Sequence, residues 1–149
     1  MKQDTVFNWR KLVLVPVLLL VLALAACSGT TTDDSTGTDA GITGTVTYLQ
    51  RSALAPGSVI TVQLQDVSLA DAPATTLGEQ VITTTDEQVP VPYEVGYTSA
   101  DIQDNHTYAV RATITDSAGT LLFTSDTHIP VITNGSPTED VEIVVVPVP

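Results

Sequence analysis

From Ile42 to the end of the chain, apolar residues recur at every second position, and that period confines the sequence to β structure. Successive side chains of a strand point to opposite faces, so an alternating run buries one face and wets the other, whereas a helix would scatter the same residues around its axis. Ile42, Gly44, Val46 and Tyr48 form one inward set, with Thr43, Thr45 and Thr47 facing out. Ile60, Val62 and Leu64 form the next, and Leu77 to Thr84 reads as a third strand. Val91, Tyr93, Val95 and Tyr97 alternate through a fourth, and Tyr108, Val110, Ala112 and Ile114 through a fifth. Thr120 to Thr124, Ile129 to Ile132 and the set Val141, Ile143 and Val145 complete the series. Turn chemistry separates the runs at Ala55-Pro56-Gly57, Asp116-Ser117-Ala118-Gly119 and Asn134-Gly135-Ser136-Pro137.

With no helical period of useful length, the sequence predicts an all-β domain over residues 42–149, a single antiparallel β-sandwich of about seven or eight strands. An immunoglobulin-like or transthyretin-like sandwich is expected, with a closed barrel as the alternative. Asp104-Asn105-His106-Thr107-Tyr108-Ala109-Val110 carries the spacing of a tyrosine corner, in which a phenol bonds back to the backbone where a loop meets a strand. Pro90 and Pro92 cannot donate to a ladder, so the strand they begin is expected at a sheet edge.

The first 26 residues have a different logic. Lys2, Arg10 and Lys11 lead into an apolar run from Leu12 to Ala26, the order of an export signal. A membrane-crossing helix needs about 20 apolar residues, more than this Pro16-interrupted run supplies. Leu24-Ala25-Ala26-Cys27 closes the signal and resembles the lipid-modification box of bacterial lipoproteins. That resemblance implies cleavage before Cys27, diacylglycerol on its sulfur and a chain held on a bilayer by lipid. Cys27 is the only cysteine, so the exported domain forms no internal disulfide and draws its stability from its core. Residues 27–41 contain no large apolar side chain and read as a flexible tether. Ser28 follows Cys27, which favours the outer membrane in a two-membrane cell; otherwise the outer face of the cell membrane is expected.

Beyond the signal there are two arginines, Arg51 and Arg111, no lysine, and sixteen carboxylates, giving a net charge near −14. Nucleic acid and anionic lipid surfaces are excluded as electrostatic partners, because binding there rests on Lys and Arg neutralising phosphate. Each arginine is expected to be held by a carboxylate, with Arg51 and Asp66 as one pair. His106 and His128 lie in separate segments without metal-ligand spacing and read as strand-end residues. Asp101 and Asp104, and Asp66 with Asp71, read as solvated turns rather than a calcium loop. No nucleophile elbow, phosphate loop or dinucleotide fingerprint is present, so neither an enzyme nor a cofactor is expected.

A more specific pattern runs through the first two strands: Gly44-Thr45-Val46-Thr47-Tyr48, then Arg51-Ser52-Ala53-Leu54-Ala55-Pro56, then Val62-Gln63-Leu64-Gln65-Asp66-Val67-Ser68. It resembles the YbaY/YscW family of small envelope lipoproteins and extends to Tyr108-Ala109-Val110-Arg111-Ala112 and Leu122-Phe123-Thr124. The resemblance implies a β-sandwich lipoprotein whose best-understood branch is a pilotin, a chaperone that escorts a type III secretion secretin into the outer membrane. It carries over no catalytic residue. It implies close packing at Gly44, a turn at Pro56 and Gly57, and a strand end at Asp66 and Ser68. The expected function is therefore a non-catalytic envelope lipoprotein, anchored through Cys27, that binds or escorts another envelope protein such as a secretin. The strand from Val89 to Tyr97 and the C-terminal strand Val141 to Val148 are the candidate docking edges. A carbohydrate or cell-wall binding module is the alternative.

Overall fold

The computed structural model describes residues 38–149; the export signal over residues 1–26, Cys27 and the tether up to residue 37 lie outside the described residues. Nine strands follow in order: β1 (Ala40–Thr47), β2 (Val59–Asp66), β3 (Thr75–Thr83), β4 (Val91–Tyr97), β5 (Tyr108–Thr115), β6 (Leu121–Thr124), β7 (Ile129–Val131), β8 (Val141–Val144) and β9 (Val146–Pro147). They form two sheets, one ordered β4-β1-β8 and the other β3-β2-β5-β6-β9, with β7 also pairing β5. The core between them is made by the inward sets of the alternating runs: Ile42 and Val46, Ile60, Val62 and Leu64, Val91 to Tyr97 at odd positions, Tyr108 to Ile114 at even ones, and Val141, Ile143 and Val145. Each fully buried aliphatic side chain stabilises the fold by about 1.5–3 kcal/mol relative to exposure, the main favourable term available to a domain without cross-links.

The sandwich departs from a purely antiparallel one at a single ladder. β8 runs parallel to β1, with Gly44 opposite Val141 and Val46 opposite Ile143. The C-terminal strand then changes sheets: the Val145 N–H donates to Thr47 O of β1 at 2.9 Å, and the Val148 N–H donates to Leu122 O at 2.9 Å beside β6. Consecutive backbone groups of a strand point to opposite sides, so one chain segment serves both sheets. Gly44 makes the parallel pairing possible, because a Cβ there would sit 1.8 Å from Val141 O.

β1 opens at Ala40, and the chain is already fixed before it: the Ser99 N–H and Oγ donate to the two carboxylate oxygens of Asp39 at 2.6 and 2.5 Å. Those bonds hold the Asp39 carboxyl below the ordinary 3.8. The tyrosine corner forms as the spacing predicts, with the Gln103 N–H donating to Tyr108 Oη at 2.8 Å and the ring fully buried. The turn before β2 has Gly57 at φ +82°, a left-handed conformation that favours glycine.

Candidate functional site

The ends of β2 and β5 lie side by side, with Asp66 opposite Tyr108, and a polar network locks them together. Asp66 Oδ1 accepts from the Ser68 N–H at 2.9 Å and from Ser68 Oγ at 2.5 Å, while Oδ2 meets His106 Nδ1 at 2.6 Å. Ser68 Oγ in turn accepts from the Thr107 N–H at 2.9 Å, and Thr133 Oγ1 donates to His106 O at 2.8 Å. The backbone joins in, the Val67 N–H donating to Thr107 O at 2.9 Å. Just after β7, Ile132 adopts φ +69°, where a β-branched side chain costs about 1–3 kcal/mol that the surrounding bonds must offset.

Partial burial raises the Asp66 pKa, but the bonds from Ser68 and the His106 interaction outweigh it and leave the carboxyl below 3.8. A group depressed on folding contributes stability that is present above its unfolded pKa and lost as pH falls through the folded value. Asp66→Asn is accordingly expected to destabilise the domain at pH 7 by about 1.5–3 kcal/mol, the range for a hydrogen bond to a charged group. In urea titrations the gap between wild type and variant should narrow progressively below pH 3.8. A gap that stays constant down to pH 2 would remove the charge from this account.

Asp66 therefore pairs with His106, not with Arg51. Arg51 is exposed in the connection before β2, whereas Asp66 closes that strand. Eight residues at about 3.4 Å each separate the two ends of β2 by over 20 Å, which no arginine spans. Arg111 lies exposed on the outer face of β5 and donates to Thr124 Oγ1 at 3.2 Å, so among the described residues neither arginine forms an ion pair.

The locked strand ends carry the connection Val67–Ala74, which stands over the outer face of the larger sheet opposite the connection Ser125–His128. Ser125 anchors the second, its Oγ accepting from the Ala112 N–H at 2.8 Å and donating to Ala112 O at 3.1 Å. Two hollows of about 340 and 530 Å³ lie between the connections and share Val67, Ala74 and His128, so they form one groove. Its floor includes Ala109, which points away from the core yet is only 3% exposed because the connections cover it. One end is apolar, with Leu69, Ala70 and Ala72; the other is polar, with Gln65, Arg111 and Asp126. Leu69 is 72% exposed, among the most exposed large apolar side chains described.

The expected docking edges fare differently. β4 is an edge strand, as its prolines predict, but its free side is closed by β3. The Glu94 N–H donates to Gln80 Oε1 at 2.7 Å, and Gly96 O lies so near Gly78 that a Cβ there would be 2.2 Å away. β9 carries Pro147, without a donor, on its free side.

The family described as type III secretion system lipoprotein chaperone (YscW) matches residues 38–143. An uncharacterized lipoprotein of Escherichia coli K12, YbaY, is 34% identical over 143 residues, spanning 85% of this chain and 75% of its own length. The solved structure of an alternative pilotin from the type II secretion system of Vibrio cholerae superposes with a TM-score of 0.67 at 42% identity, over 72% of this chain and 96% of that one. The chain belongs to the YscW family of lipoprotein chaperones.

Proposed function

We propose that the protein is a lipid-anchored envelope chaperone of the pilotin type, which binds a secretin-like outer-membrane protein and does no covalent chemistry. The exposed Leu69 at the mouth of an apolar groove carries this reading, and the Asp66, Ser68 and His106 network anchors the start of the connection that bears it. Membership of the lipoprotein chaperone family and the likeness to a type II pilotin support it. Lipid on Cys27 would keep the domain at the membrane where its partner inserts, the outer membrane in a two-membrane cell and otherwise the outer face of the cell membrane. The four tyrosines after the signal are all buried, so the described residues offer no tyrosine platform for stacking on sugar rings.

In-cell cross-linking of the lipidated protein tests this directly. Recovery of a secretin or another outer-membrane assembly is expected, lost with Cys27→Ala and reduced about tenfold or more with Leu69→Asp, since a carboxylate in an apolar contact costs more than about 1.4 kcal/mol. Enrichment of wall polysaccharide, with no protein recovered, would replace the chaperone reading by a wall-binding one.

A further inference from the structure

An unpaired strand edge is a template for further pairing, and folded proteins blunt such edges with proline, lysine or a covering element. Three edges here are blunted in this way. Pro92 on β4, Pro130 on β7 and Pro147 on β9 each stand at a position whose backbone nitrogen faces away from the paired neighbour. β3 is different. It contains no proline or lysine, pairs only β2 among the described residues, and on the far side of a bulge at Leu77 keeps Gly78 to Thr83 in unbroken register.

The register fixes which groups it leaves open. Thr84 N–H donates to Ser58 O at 2.8 Å, and Ile60, Val62 and Leu64 pair with Ile82, Gln80 and Gly78, so from Gly78 onward the even residues of β3 face β2. Glu79, Val81 and Thr83 consequently turn their N–H and C=O groups outward. Val81 is 56% exposed, and its side chain together with Glu79 and Thr83 lies on the solvent face.

We propose that this outer edge of β3 is a strand-pairing site for an extended, lysine- or arginine-bearing segment of a partner polypeptide; the idea rests on the reading that the protein binds another protein. Charge selects the occupant. Glu79 lies on this strand with its exposed carboxylate accepting from Gln63 Nε2 at 2.6 Å, and neither arginine is on this strand or on β4. A second copy would bring its own charge near −14 to the same edge. A basic segment alternating with apolar residues gains ladder bonds, a contact with Val81 and attraction to the Glu79 carboxylate and to the domain's net negative charge.

The test adds a nine-residue peptide of alternating lysine and valine to the full lipidated chain in detergent micelles and follows amide hydrogen exchange. Exchange over residues 75–83 is expected to slow with this peptide. It should stay unchanged with a glutamate–valine peptide, or with the lysine–valine peptide N-methylated at alternate positions so that it keeps its charge but cannot pair. Val81→Pro removes an outward donor without breaking a β2 bond and is expected to weaken binding tenfold or more; Val81→Lys, on an exposed side chain, gives the same loss by repulsion and keeps the test open should the proline variant not fold. Equal slowing by the N-methylated peptide, or binding indifferent to both variants, would overturn strand pairing. Protection of the outward amides of Glu79, Val81 and Thr83 without peptide would also overturn it, assigning the edge to a second copy if it rises with protein concentration and to the tether if it vanishes on removal of residues 28–37. A Cys27-dependent envelope partner whose capture ignores Val81→Lys would leave the chaperone reading intact and sink the edge; peptide pairing with no partner in cells would do the reverse.

Discussion

Gly44→Ala is expected to lower the thermal midpoint by about 12 °C or more, corresponding to roughly 3 kcal/mol at about 4 °C per kcal/mol for a domain of this size. The added Cβ would lie 1.8 Å from Val141 O, 2.6 Å from Val141 C and 2.8 Å from Val141 N, all backbone atoms of the parallel partner strand. Backbone cannot move aside as a side chain can, so β8 must leave β1 or the sheet must open. Because β8 continues into β9, loss of the β1 pairing also loosens the seam between the two sheets. Gly41→Ala supplies the contrast on the same strand, since its Cβ would meet the Glu94 side chain at 3.6 Å, an ordinary contact. Equal midpoints for the two variants in a thermal melt would refute the close-approach account.

Tyr108→Ala is expected to cost about 3–5 kcal/mol, the range for truncating a large buried aromatic, and to leave the domain largely unfolded at physiological temperature. Tyr108 is fully buried, and its phenol also receives the Gln103 N–H, tying the loop before β5 to the core. Tyr108→Phe separates the two contributions. It keeps the ring and removes only the bond, so a loss of about 1 kcal/mol is expected. Urea denaturation of both variants distinguishes them, and a phenylalanine variant as unstable as the alanine one would show that the corner, rather than the ring, holds this end of the sandwich.

The candidate site was legible only in part. Asp66 and Ser68 were visible as a strand end, and His106 as a strand-end residue of another segment, but their meeting depends on β2 and β5 being neighbours with Asp66 opposite Tyr108. No local pattern encodes that pairing. Charge alone favoured Arg51 as the partner of Asp66, and the length of β2 forbids it. The prolines of β4 announced an edge, yet whether that edge is open depends on Gln80 and Gly78 of β3, which come from the other sheet.

By itself the sequence determined the class of fold, the inward faces of its main strands, the tyrosine corner and the turn before β6, because alternation and turn chemistry act between residues a few positions apart. The tertiary structure decided the parallel docking of β8, the change of sheet at Val145, the groove beneath Leu69 and the open side of β3. Those features are contacts between segments distant along the chain, where many pairings bury similar apolar area and only the packing of the whole selects one.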